Sequence, residues 1–133
     1  METNVEPGLT GHAELTVTDA ETAAHVGSGS VAVLATPVMI GLMEAAAVNA
    51  VDHLLPTGMR SVGTYVEVRH LAPTPVGMRI TARAELVDVQ GRTLTFRVVA
   101  LDDREQVGEG SHRRAVVDEA QFSERARAKA AGR

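Results

Sequence analysis

Three side chains that can move a proton or attack a carbonyl stand out by position: Thr36, Glu44 and His70. Glu44 is the only charged residue in the most apolar run of the chain, ATPVMIGLMEAAAVNAV from Ala35 to Val51. An ionised carboxylate buried without a partner is costly, so its presence there needs a reason. On a helix turning ~100° per residue, Ile40, Gly41, Ala47, Val48 and Val51 share its stripe, while Asp52 stands about 80° away. A solvent-facing glutamate is the ordinary alternative. The polar arc of Asn49 and Asp52, however, lies elsewhere. In SVGTYVEVRHLAPTP, strand alternation places Val62, Thr64, Val66, Val68 and His70 on one face and Tyr65, Glu67, Arg69 and Leu71 on the other. His70 therefore shares the valine face and points inward, either as a satisfied core histidine or as a functional one. With Thr36 expected to cap the helix that carries Glu44, an acid, an imidazole and a hydroxyl gather near helix amides. These are parts suited to acyl transfer.

The elements that must hold them are legible in outline. Thr10 to Thr18 reads as a strand and Asp19 to Val26 as a helical turn, followed by a flexible Gly27 to Ser30 approach. Thr36 and Pro37 mark a helix start, and Pro56, Thr57 and Gly58 end that helix near Leu55. It is apolar on most of its surface, which predicts central burial. Four strands follow: Met59 to Leu71, Met78 to Val89, Thr93 to Asp102 and Gln106 to Val117. Hairpin turns at Gln90–Arg92 and Asp103–Glu105 make their neighbours antiparallel. Asp118 to Ala131 is charged and alanine-rich, a surface helix or frayed tail. The whole, residues 1–133, is a single α+β domain in which a curved antiparallel sheet wraps one long helix, with 1–9 and 119–133 as flexible or surface tails. Open sheet edges predict a homodimer or a tetramer.

Composition narrows the function. Hydrophobic residues make up 44% of the chain, yet its aromatics are Tyr65, Phe96 and Phe122 alone, so the core is aliphatic. A net charge of -4 and this aromatic poverty argue against nucleic-acid binding. There is no cysteine for a disulfide or a thiolate, which fits a reducing compartment. The acidic start METNVEPGLT has no apolar core for a signal peptide, and no run approaches 18 uninterrupted apolar residues. A cytoplasmic protein with no membrane partner is the expectation. His12, His25, His53 and His112 show no metal-ligand spacing with carboxylates, so no metal is expected.

The strings ATPVMIGLMEAAAV, GTYVEVRHLAPTPVGM and VGEGSHRRAVV resemble the fluoroacetyl-CoA thioesterase group of the hotdog-fold superfamily, over Gly11 to Phe122. The most specific part is the Thr-x7-Glu spacing on the helix followed by Gly-Thr-x5-His at the strand end. The resemblance implies a catalytic set at Thr36, Glu44 and His70 that hydrolyses a short-chain acyl-CoA to a carboxylic acid and CoA. No cofactor is implied, because CoA belongs to the substrate. It further implies a site between subunits, with Glu44 either attacking the thioester or activating water, His70 shuttling a proton and Thr36 positioning them. Gly63 and Thr64 become candidate substrate contacts, Gly63 through close backbone approach, or else as a bulge in the curved strand. Arg114 is a candidate for CoA, together with Arg69, Arg92, Arg97 and Arg113. Residues Gly27 to Val33 carry no aromatic side chain where the fluoroacetyl-specific enzyme is aromatic-rich, which implies a more general short acyl chain.

Two other functions suit the same fold: a binding module that senses acyl-CoA without chemistry, and an enoyl-CoA hydratase. The only adjacent acid and imidazole pair that a hydratase could use is Asp52-His53, at the expected exposed end of the helix.

Overall fold

A computed structural model describes residues 4–132. Its elements are β1 (Thr10–Thr16), a 3-10 turn (Asp19–Glu21), α1 (Ala23–Val26), α2 (Thr36–Val51) and a second 3-10 turn (Asp52–Leu54). Then come β2 (Met59–His70), β3 (Arg79–Gln90), β4 (Thr93–Asp102), β5 (Gln106–Asp118) and α3 (Glu119–Ala130). The strands form one antiparallel sheet in the order β1-β3-β4-β5-β2, so β1 and β2 are its edges. This is the α+β architecture expected from the pattern. No helix among the described residues is long and apolar enough to cross a membrane.

The core follows from period-two burial on the sheet. Ile80, Ala82, Ala84 and Leu86 of β3, and Leu94, Phe96, Val98 and Ala100 of β4, turn inward and are almost fully buried. Against them α2 presents Met39, Met43, Ala46, Ala47, Ala50 and Val51. Alanines on both sides bring helix and sheet close. Gly11 on β1 carries this furthest, because a Cβ there would collide with the α2 backbone at Ala46 and Ala50.

Four expectations change. The helix is not buried all round: α2 lies mainly against β1 and β3, and Pro37, Gly41, Ala45 and Asn49 form an exposed stripe. Thr36 does not cap it. Ala35 is the N-cap residue and makes no side-chain cap bond, while the Thr36 hydroxyl is drawn to His70. The inward phase of β2 also switches midway. Gly63 pairs with Arg114 and Tyr65 with Arg113, which leaves Thr64 as a bulge. Before the bulge Ser61 and Gly63 face inward, where Ser61 is buried; beyond it Val66, opposite buried His112, takes up the inward phase. Val62 and Thr64 are therefore not on the face of Val66, Val68 and His70. Finally, residues 4–9 are not a loose tail. Val5 is 5% exposed within the core, and Gly8 and Leu9 exchange backbone hydrogen bonds with Leu86. At the other end α3 is a surface helix with no buried residue, capped where Asp118 accepts from the Gln121 amide. Residues 1–3 and 133, parts of the expected tails, lie outside the described residues.

Candidate active site

His70 is the last residue of β2, and Thr36 is the first helical residue of α2. The Thr36 Oγ1 to His70 Nδ1 distance is 2.7 Å, a hydrogen bond joining residues 34 positions apart. His70 Nε2 is buried with no hydrogen-bond partner among the described residues. Burial holds the imidazole below its ordinary pKa, so the ring is neutral near pH 7. A neutral ring has one donor and one acceptor nitrogen, and the Thr36 hydroxyl serves either tautomer. The open nitrogen is therefore a proton donor or a base according to which way that hydroxyl points.

The pair borders a cleft of about 390 Å³ whose other walls include Gly29, Ser30, Val31, Leu34 and Leu71. Small and aliphatic side chains dominate, and no acidic or basic group other than His70 lines it. The loop that forms its rim is tied rather than loose: Ala24 donates to the Val31 carbonyl, Ala23 to Val33, and Leu34 to Thr74. Oxyanion stabilisation from the helix start is narrower than expected. Val38 and Met39 already donate to the Ala35 carbonyl, and Pro37 has no amide hydrogen. The Thr36 amide is what remains of that turn.

Glu44 stands at a different point. Eight residues along α2 from Thr36 is a rise of ~12 Å. Its side chain is 41% exposed and lies 3.8 Å, Oε2 to Nη1, from the buried guanidinium of Arg114. Gly63 makes the space: a Cβ there would stand 2.6 Å from Glu44 Oε2. The close approach at Gly63 thus comes from Glu44 itself, and Thr64 beside it bonds the Arg113 carbonyl at 3.2 Å. Arg114 is 6% exposed and donates to Ser61 and His112. Of the other arginines, Arg97 lies 3.6 Å from Glu85, Arg113 covers the Tyr65 ring at 4.3 Å, and Arg69 and Arg92 are exposed. One chain therefore carries two separate clusters, Thr36 with His70 and Glu44 with Gly63 and Arg114.

The sequence and the fold have counterparts among known proteins. The fluoroacetyl-CoA-specific thioesterase family profile matches residues 17–120. The chain belongs to this family. It is a thioester hydrolase with the hotdog fold. A fluoroacetyl-CoA thioesterase from Streptantibioticus cattleyicolor is 44% identical over 97 residues, 73% of this chain and 70% of that protein. A solved structure of a fluoroacetyl-CoA thioesterase superposes with a TM-score of 0.87 at 36% identity, covering 94% of this chain and 97% of the other. A hot-dog-like protein from Thermanaerovibrio acidaminovorans superposes with a TM-score of 0.83 at 26% identity, covering 92% and 91%.

Several residues around Glu44 escape sequence reasoning. Ser61, Asp52 and His112 gather beneath it only through the pairing of β2 with β5 and the return of the chain after α2. The available signal was modest: alternation alone places His112 and Arg114 on one face of β5. Asp52 is half-buried and bonded to Ser61, while His53 is exposed, so the two do not form a working acid and base pair.

Proposed function

We propose that this thioesterase hydrolyses an acyl-CoA with a short, uncharged acyl group to the carboxylic acid and CoA, using Thr36, Glu44 and His70. The observation that carries the reading is the 2.7 Å bond between Thr36 and His70, two residues that line one cleft, with the second His70 nitrogen buried and unpartnered. A buried polar atom left unpaired costs about 1–3 kcal/mol, and a substrate that pairs with it removes that cost. Two routes share the geometry. Glu44 attacks the thioester carbonyl directly and water then cleaves the anhydride, or Glu44 takes a proton from the water that attacks. In either case the C–S bond breaks, CoA leaves as the thiolate, and the proton given up by the attacking water reaches that sulfur through His70. Thr36 holds the imidazole ring in place, and its amide faces the developing oxyanion.

The working site is shared between two protomers. In one chain Glu44 is ~12 Å along α2 from Thr36, too far for both to meet a single carbonyl. Edge strand β2 leaves Val66 38% exposed, and the Gly41 and Ala45 stripe of α2 is also open. A two-fold dimer covers these surfaces and brings Glu44 of one protomer to the Thr36–His70 pair of the other. The aliphatic, charge-free cleft suits an alkyl acyl group and disfavours one carrying a second carboxylate. One methylene more or less changes binding by only about 1–3 kcal/mol, which makes the chain length preference graded.

The test is free-thiol release from acetyl-, propionyl-, butyryl- and malonyl-CoA by the wild type and by Glu44→Gln, Thr36→Ala and His70→Ala. Expected is turnover of the alkyl thioesters, little of malonyl-CoA, and a loss on the order of 10²–10⁴-fold in Glu44→Gln. Hydrolysis that survives Glu44→Gln unchanged would sink the assignment. Binding of acyl-CoA without any turnover would instead favour a sensor.

A further inference from the structure

Beneath Glu44 runs a chain of polar groups that the reacting set does not use. Arg114, almost fully buried, needs partners for its charge. Its Nε donates to Ser61 Oγ at 2.7 Å, Nη2 to the Ser61 carbonyl at 2.9 Å, and Nη1 to His112 Nε2 at 3.1 Å. Ser61 is itself held, its hydroxyl donating to Asp52 Oδ1 at 2.5 Å and its amide to Oδ2 at 3.2 Å. The directions agree throughout. The single Ser61 hydroxyl proton goes to Asp52, which leaves a lone pair for Arg114. His112 Nδ1 lies 2.8 Å from the Tyr65 carbonyl, which only accepts, so the proton is on Nδ1 and Nε2 is the acceptor that Arg114 requires. Burial keeps His112 neutral, consistent with that tautomer.

Three sides of the guanidinium are thus clamped, and its free approach is toward Glu44. We infer that Asp52 and Ser61 are positioning residues for Glu44, acting through Arg114. This rests on the reading of Glu44 as the reacting carboxylate. The separation matters as much as the contact. A carboxylate locked into a bidentate arginine pair has its lone pairs engaged and is a poorer base or nucleophile. Here Asp52 shares the guanidinium charge through Ser61, and Glu44 stays at 3.8 Å, oriented by the charge without being tied up by it. With the Ser61 hydroxyl gone, Arg114 loses its Nε acceptor and keeps only the Ser61 carbonyl and His112, so its guanidinium can shift toward Glu44 or away from it. Ser61, Asp52 and Arg114 are not among the residues that line the cleft beside Thr36, so the change should fall on kcat more than on KM.

The experiment measures kcat, KM and Tm for Ser61→Ala, Ser61→Thr and Asp52→Asn, each alone and in a Glu44→Gln background, with the alkyl acyl-CoA that the wild type turns over best. Expected is a fall in kcat of about tenfold or more for Ser61→Ala with KM within about twofold. Ser61→Thr, which keeps the hydroxyl, recovers most of it. In the Glu44→Gln background the Ser61→Ala change has no further effect, because the group being positioned is gone. A lowered Tm with unchanged kcat per folded enzyme, or the same fall in both backgrounds, overturns the positioning role while leaving Glu44 as the reacting group. If Ser61→Ala does not fold, Asp52→Asn gives the same comparison. A Glu44→Gln enzyme as fast as the wild type removes the reading of Glu44 and this role with it.

Discussion

Gly63 and Glu44 are shaped to each other: the space a Cβ would take on Gly63 is occupied by the Glu44 carboxylate, 2.6 Å from where that Cβ would lie. A methyl group at 63 meets the far end of a flexible side chain, not backbone, so the fold can absorb it by moving Glu44. Gly63→Ala is therefore expected to lower kcat by on the order of tenfold or more while changing Tm little. Thiol-release kinetics with thermal melts check this, and a large Tm loss with normal kcat per folded enzyme would show that the fit is structural.

Gly11 predicts the opposite pattern. Its neighbours are helix backbone atoms at Ala46 and Ala50, which cannot step aside singly. Gly11→Ala should cost about 1–3 kcal/mol of stability through separation of β1 from α2, as measured by denaturant unfolding. The activity of the fraction that remains folded should stay near normal.

Thr36 acts through its hydroxyl, so the two small replacements separate. Thr36→Ser keeps the bond to His70 and most of kcat. Thr36→Ala frees the ring and lowers kcat by about 10–100-fold. Equal activity in both variants would remove Thr36 from the mechanism.

Two imidazoles give stability a defined pH dependence. Burial lowers the pKa of both His70 and His112 below the ordinary value. In the window between the unfolded pKa of about 6.5 and the lower folded values, the unfolded chain binds more protons, so stability falls as pH falls. Tm should drop on acidification from pH 7 toward 5, and His112→Gln, although less stable overall, should show a shallower slope. An unchanged slope would mean that burial does not keep this ring neutral.

What the sequence could disclose depended on whether the determinant was local. The α2 start at Thr36-Pro37 and the alternation of Ile80, Ala82, Ala84 and Leu86 are set by near neighbours, and both are visible in the sequence. Helix-start statistics assign the Thr36 hydroxyl to a cap because they know nothing of His70, which takes that hydroxyl across 34 residues. The bulge at Thr64 exists only as a mismatch between Gly63–Arg114 and Tyr65–Arg113, so a single strand shows nothing of it. His70 keeps its inward position because it lies beyond the bulge, whereas Val62 and Thr64 lie at or before it. Glu44 appeared to need a partner, and the structure supplies Arg114, a residue that alternation alone left among several surface candidates. Its half-exposure reflects a face of α2 that one chain leaves open.

The shared site is tested most directly by mixing two inactive proteins. Purified Glu44→Gln and His70→Ala variants, each tagged differently, are exchanged to form mixed dimers and assayed for thiol release. In a mixed dimer one interface carries both lesions, and the other carries an intact Glu44 opposite an intact Thr36–His70 pair. Activity should therefore return, toward about a quarter of the wild-type level after random exchange of a two-fold dimer. No recovery, with mixed dimers confirmed by tandem affinity capture, would contradict a site built from two chains.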